Sequence, residues 1–138
     1  MIGQNSIDVR FFAPPDDLAP CFTTVYRLEV TLPEGEVLED WLQPEWSNLR
    51  FFSENAPTAE IPDGPKVSGA RFQATGPTSC PTHFLLGRTR MWGMGLSPQG
   101  WARFVGVHAA DHANTIVDGE ASPHFSRFAP LCEALCSR

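Results

Sequence analysis

Residues 92–106 read WGMGLSPQGWARFVG, and this stretch decides how the second half of the chain folds. Two glycines, Gly93 and Gly95, lie inside an apolar run with the composition of a strand, where they permit a bulge or a close approach of another backbone. Ser97 is suited to cap the N-terminus of a helix, and Pro98 is suited to its first turn. The stretch therefore predicts a strand that turns sharply into a helix.

The residues after Pro98 predict a short helix that packs on the sheet. Trp101, Phe104 and Val105 have the i, i+3, i+4 spacing of a core-facing stripe. Gly106 is suited to the left-handed conformation that ends many helices. We therefore expect a two-turn helix over 98–105 with Trp101 mostly buried.

The residues before this corner predict strands. The sequence CFTTVYRLEVTL over 21–32 alternates apolar and polar side chains, as a half-buried strand does. A loop is predicted over 56–66 because its prolines and glycine disfavour regular structure. Further strands are predicted over 37–55 (two, divided at Pro44), over 67–74, and over 82–97 (one or two).

Short helices are predicted at the end of the chain, over 108–116 and over 122–138, with a bend or restart near Pro130. Strands followed by short helices indicate an α+β fold. We expect a curled, mostly antiparallel β-sheet or a cupin-like barrel, followed by the short C-terminal helices. A chain of 138 residues is expected to form one domain over 1–138.

Charge and composition disfavour several function classes. The net charge is −6, and ten scattered Lys and Arg residues face sixteen carboxylates, so direct nucleic-acid binding is not expected. Because no apolar run approaches the roughly 20 residues of a membrane span and no secretory signal is present, we expect a cytoplasmic protein. The four cysteines lack a C-x-x-C pair and are expected to be reduced and mostly buried.

Both ends of the chain resemble a known regulatory domain. GMGLSPQGWARFVGV (93–107) with AADHANTIVDG (109–119) resembles the end of a sensor-type domain found at the N-terminus of some AraC-family transcription regulators. FFAPPDDLAPCFTTVYRLEV (11–30) is similar to the opening of that domain, and residues 33–80 match it loosely. The resemblance implies a non-catalytic regulatory domain that senses a small-molecule effector, mediates dimerisation, or does both.

In that family two helix-turn-helix motifs follow the sensor domain, and no segment of 1–138 resembles a recognition helix with basic flanks. The chain is therefore expected to be the regulatory part of a longer regulator. A homodimer would form through an exposed sheet edge or through an apolar stripe on the last helix. The stripe consists of Phe125, Phe128, Leu131, Cys132 and Leu135.

Aromatic residues of the predicted sheet are the candidate ligand contacts. If the sheet curls, some of them would line an apolar cavity for a small effector. The alternative is that they simply form an aromatic core. The candidate ligand-binding residues are Trp41, Trp46, Phe72, His83, Arg90 and Trp92.

Catalytic and metal chemistry have weaker signals. His108 and His112 are four residues apart, but no third ligand lies nearby in sequence, so neither a metal nor another cofactor is expected. Ser97 lacks the Gly-x-Ser-x-Gly setting of a nucleophile, and helix capping accounts for it. No enzymatic activity is expected. A small cupin-like metal-binding protein or enzyme remains an alternative, as does a purely structural interaction domain.

Overall fold

Ten strands and two short α-helices make up residues 6–136, the part of the chain that the computed structural model describes. The strands are β1 (Ser6–Phe11), β2 (Phe22–Thr31), β3 (Leu38–Leu42), β4 (Ser47–Phe52), β5 (Thr58–Glu60), β6 (Lys66–Ser68), β7 (Phe72–Thr75), β8 (Thr82–Leu86), β9 (Thr89–Leu96) and β10 (Ile116–Asp118). The helices are α1 (Pro98–Phe104) and α2 (Ala129–Cys136).

The strands form two antiparallel sheets. The first has the order β1-β2-β9-β4-β7-β10, and the second has the order β3-β8-β5-β6. Sheets followed by a C-terminal helix confirm the predicted α+β class with a mostly antiparallel sheet. The cupin-like barrel is not formed, because the sheets of residues 6–136 do not close on themselves.

The six-stranded sheet packs against the helices on one face and against the four-stranded sheet on the other, as the side chains of β4 show. Leu49 and Phe51 point to one face, where they join a core with Trp101 of α1 and Cys132 of α2. Phe52 points to the other face, where the buried residues come from both sheets. The fold therefore has three layers, with helices outside, the six-stranded sheet in the middle and the four-stranded sheet opposite.

The corner after β9 forms as its sequence predicts. The backbone N–H of Gly100 donates to Ser97 Oγ at 3.1 Å, and Pro98 occupies the first turn of α1. Gly106 has a φ of 78°, and its N–H donates to the carbonyl of Trp101 at 2.9 Å. Trp101 is 3% exposed, which confirms that the helix is anchored on the sheet.

Gly100 faces the backbone of the segment before β2, and this contact gives a testable prediction. A Cβ at position 100 would collide with the carbonyl of Cys21. Gly100→Ala should therefore lower the free energy of unfolding by about 1–3 kcal/mol through overpacking, although alanine inside a helix ordinarily gains about 1 kcal/mol over glycine. Denaturant unfolding measures the change. Gln99→Ala, at an exposed position of the same helix, is the control, and a stabilised Gly100→Ala protein would contradict the packing.

Three predicted segments before the last helix differ from the structure. The strand expected over 67–74 is divided, because the chain turns at Gly69, which has a φ of 76°, and leaves β6 in the four-stranded sheet and β7 in the six-stranded sheet. Residues 56–66 were expected to be a loop, but β5 lies within them because it pairs with β6 and β8 and buries Ala59 between the two sheets. Residues 108–116 were expected to be a helix, but only a 3₁₀ turn forms over Ala109–His112. The chain then continues as β10, because burying Ile116 between the sheets outweighs the weak local preference of these residues for helix.

The last helix is shorter than 122–138. Ser122 and its neighbours form turns, a 3₁₀ turn follows over Ser126–Phe128, and α2 begins at Ala129. The restart next to Pro130 is as predicted, since proline is accepted only in the first turn. No helix among residues 6–136 is both long enough and apolar enough to cross a membrane.

Candidate functional site

An apolar cavity of about 320 Å³ lies between the two sheets. This volume falls within the range of about 300–1,000 Å³ that small-molecule sites usually occupy. The six-stranded sheet and the four-stranded sheet both contribute to its walls, largely through apolar side chains. These include Leu28, Phe52, Ala59, Phe84, Met91 and Ile116.

The cavity is closed on one side and open on the other. At the β10 side, Ile116 packs against Ala59 and Ile61, which brings the two sheets together. At the opposite side lies β1, whose Val9 and Phe11 line the cavity yet are 44% and 71% exposed. The cavity is therefore open beside β1, and a ligand can enter there.

Polar side chains cross the floor of the cavity in one row. Tyr26 is opposite Gly93, Gly93 is opposite Arg50, and Arg50 is opposite Gln73, so these four positions lie side by side on adjacent strands. A Cβ at Gly93 would overlap the ring of Tyr26. Glycine at position 93 therefore lets the tyrosine ring lie across β9 and reach Arg50, whose Nε donates to Tyr26 Oη at 3.4 Å.

The charge of Arg50 is neutralised within the protein. Its side chain is only 7% exposed, and Nη2 lies 2.6 Å from Glu45 Oε1. Burial by itself would lower the pKa of the guanidinium, but the neighbouring Tyr26 and Glu45 raise the pKa above its ordinary value. Arg50 is therefore a charged donor with its counter-ion already in place.

Gln73 and Tyr26 retain hydrogen-bonding capacity toward the cavity. Nε2 of Gln73 donates to the carbonyls of Pro57 at 2.9 Å and Ala70 at 3.1 Å, and since carbonyls only accept, the amide orientation is fixed. Gln73 Oε1 and the phenolic proton of Tyr26 have no partner among the described residues. The floor thus offers one acceptor and one donor.

None of the six predicted ligand contacts lies among the residues that line this cavity. Trp41 and His83 lie outside, on the outer face of the four-stranded sheet, with their ring centroids 4.8 Å apart. His83 Nε2 lies 2.8 Å from Glu39 Oε2. These two residues are brought together, but at the surface.

The other four lie on the helix-facing side of the six-stranded sheet. Phe72 stacks on Phe51 with ring centroids 4.6 Å apart, and Trp46 packs against the same core, so these two fit the aromatic-core alternative. Arg90 Nε donates to Glu29 at 2.8 Å. Trp92 stacks on Phe12 with centroids 5.5 Å apart.

Alternation of side chains along a strand explains why Phe72 and Trp92 do not line the cavity. Phe72 and Trp92 each point away from the cavity, while the next residues in sequence, Gln73 and Gly93, point toward it. Sequence reasoning weighed aromatic character and missed Arg50 and Gln73. The available signal was a polar residue directly between two apolar residues of a predicted strand, since such a residue must find a partner when buried.

The histidines and cysteines of the described residues do not form a metal site. Within residues 6–136 no group of three or more His, Cys, Asp or Glu side chains is placed to hold a metal ion. His112 lies against His124, with ring centroids 4.9 Å apart. The four cysteines are free; Cys80 is exposed, and burial raises the pKa of the Cys132 thiol to about 12, which keeps this sulfur protonated.

Comparisons with protein-family models, with curated proteins and with solved structures found no match for this chain. The resemblance to AraC-type sensor domains therefore rests on the sequence pattern over 11–30 and 93–119.

Proposed function

We propose that this chain is a non-catalytic binding domain whose inter-sheet cavity holds a small, mainly apolar, uncharged ligand. The observation that carries the proposal is the open cavity of about 320 Å³ with a polar row across its floor. Such a cavity, apolar apart from a few convergent polar groups, has the usual character of a small-molecule site.

The floor of the cavity favours a neutral polar group on the ligand. Because Glu45 already balances Arg50, a carboxylate on the ligand would add an uncompensated charge in an apolar surrounding. Gln73 Oε1 needs a donor, and the Tyr26 hydroxyl can supply a proton. A hydroxyl or a primary amide both donates and accepts, so either group complements the floor.

The AraC-type resemblance supplies the biological setting of the proposal. In a cytoplasmic regulator, ligand in this cavity would favour one arrangement of the two sheets and so bias a DNA-binding part of the protein. That coupling requires the ligand to bind one arrangement more tightly than the other. Direct DNA contact by residues 1–138 is not part of the proposal, because their charge is unfavourable for it.

Calorimetric titration with 1-octanol tests the proposal. Burial of eight carbons contributes about 6 kcal/mol of binding free energy, and two hydrogen bonds add about 1 kcal/mol each. The loss of translational and rotational freedom on binding costs about 4 kcal/mol. The sum is about 4 kcal/mol, so we expect a Kd of about 1 mM. Sodium octanoate at neutral pH should bind about tenfold more weakly or worse, because its carboxylate is charged and cannot donate a hydrogen bond to Gln73 Oε1.

Two variants of β5 test whether octanol binds in the cavity. Ala59→Phe places a ring in the cavity and should abolish octanol binding, whereas Glu60→Phe places the same ring on the opposite face of β5 and should leave binding unchanged. If neither octanol nor octanoate binds, the cavity is not the site. If both bind equally, the cavity is a ligand site but the preference for a neutral group is wrong.

A further inference from the structure

The strand β1 forms an exposed edge of the six-stranded sheet. All six of its residues are exposed, including Ile7 at 54%, Val9 at 44% and Phe11 at 71%. Natural proteins usually cover or charge such an edge, because its unpaired backbone groups can bind another strand. β1 leaves three apolar side chains uncovered on an edge whose backbone groups can pair with a further strand.

The backbone hydrogen bonds determine which residues of β1 can pair outward. The N–H of Phe12 donates to the carbonyl of Val25 at 2.9 Å, which places the bonds to β2 at the even-numbered residues of this strand. In an antiparallel pair the bonding direction alternates along the strand. The N–H and C=O groups of Ile7, Val9 and Phe11 therefore point to the free edge.

The charges on β1 are unfavourably placed within the chain itself. Asp8 is directly opposite Glu29, and Arg10 is directly opposite Arg27. Like charges directly opposite each other destabilise a strand pair. Neither Asp8 nor Arg10 forms a salt bridge with any residue in the described range.

We propose that two copies of this chain associate by pairing β1 with β1 about a twofold axis at Val9. In this antiparallel register Val9 is opposite the partner's Val9, and Ile7 is opposite the partner's Phe11. The outward-pointing backbone groups then meet in hydrogen-bonded pairs. Asp8 is opposite the partner's Arg10, so each unfavourable charge in the chain gains an opposite charge from the second copy.

The charge pattern selects this register over its neighbours. If the axis moved to Asp8 or to Arg10, that residue would face the same residue of the partner, which places like charges together. If it moved to Ile7, Asp8 would face the partner's Ser6, and if it moved to Phe11, Arg10 would face the partner's Phe12. None of these arrangements pairs opposite charges. Only the register centred on Val9 satisfies the backbone and both charges together.

The apolar stripe at the chain end is engaged within one copy, which leaves the sheet edge for association. Phe125 and Cys132 are 1% and 0% exposed in the helix-side core, and Phe128, Leu131 and Leu135 pack against that core. The edge pairing does not depend on ligand binding. It would bring a second β1 beside Phe11, at the open side of the cavity.

Sedimentation equilibrium on the full chain tests the pairing through charge reversal. The wild-type protein should be dimeric at about 100 µM. Asp8→Arg and Arg10→Asp each place like charges opposite each other twice in the dimer, so each should raise the dimer Kd by about tenfold or more. Each change also removes a like-charge pair within the chain, so at protein concentrations well below the wild-type dimer Kd neither variant should melt below wild type.

A mixture of the two variants is the decisive control. Asp8→Arg carries two arginines on β1 and Arg10→Asp carries two aspartates, so an equimolar mixture should form a heterodimer although neither protein dimerises alone. The double variant D8R/R10D should dimerise like wild type. A monomeric wild type, single variants that dimerise as tightly as wild type, or a mixture that stays monomeric would each overturn the pairing.

Discussion

Trp101→Ala is expected to lower the free energy of unfolding by about 3–5 kcal/mol, as for other buried tryptophans. Trp101 is 3% exposed, and its ring lies edge-on to Trp46 and Phe125. Its Nε1–H donates to the carbonyl of Val107 at 2.7 Å. The alanine variant therefore leaves a cavity between α1 and the sheet and an unpaired carbonyl after the helix, and urea denaturation followed by circular dichroism measures the loss.

The control for Trp101 is another tryptophan outside the core. Trp41 is 49% exposed on the outer face of the four-stranded sheet, so Trp41→Ala should cost less than about 1 kcal/mol. If the two variants unfold at the same urea concentration, the corner after β9 is not the anchor of the helix layer.

Glu45→Ala is expected to lower the free energy of unfolding by about 2–4 kcal/mol, because it leaves the buried Arg50 without its counter-ion. Arginine cannot lose its proton at any ordinary pH, so the charge stays in the protein. The same substitution removes the acceptor of Asn48 Nδ2, which donates to Glu45 Oε2 at 2.9 Å. Denaturant unfolding at neutral pH measures the loss.

Two further variants show whether burial causes the effect. Glu54 forms an exposed pair with Arg88 at 3.5 Å, so Glu54→Ala should change stability by less than about 1 kcal/mol. Adding Arg50→Met to Glu45→Ala removes the uncompensated charge and should recover part of the lost stability. Equal effects of Glu45→Ala and Glu54→Ala would show that Arg50 is solvated, contrary to its burial.

The corner and β2 could be predicted from the sequence because their signals are local. Ser97, Pro98 and Gly106 have residue-specific backbone and capping preferences, and the alternation along 22–31 is typical of a strand. The short strands β5 and β10 were missed for the opposite reason. Each has three residues and is stabilised by burial of one side chain between sheets that are assembled from distant parts of the chain.

The candidate site was largely beyond sequence reasoning because it depends on register. Arg50 and Gln73 are opposite each other only because β4 pairs with β7, and Tyr26 reaches them only across Gly93 of β9. The pattern NLRFF predicted a core strand, but it did not show which face would meet the second sheet. A cavity within one curled sheet was one of two alternatives that the sequence left open, whereas the observed cavity lies between two sheets.

An NMR titration of isotopically labelled protein with 1-octanol tests the central claim, that the cavity between the sheets binds a small apolar ligand. Saturable shifts are predicted for Leu28 and Met91 on one sheet and for Ala59 on the other. Val105, in the helix-side core, should not move. Shifts centred on Val105 and its neighbours, or small changes that never saturate, would contradict the account.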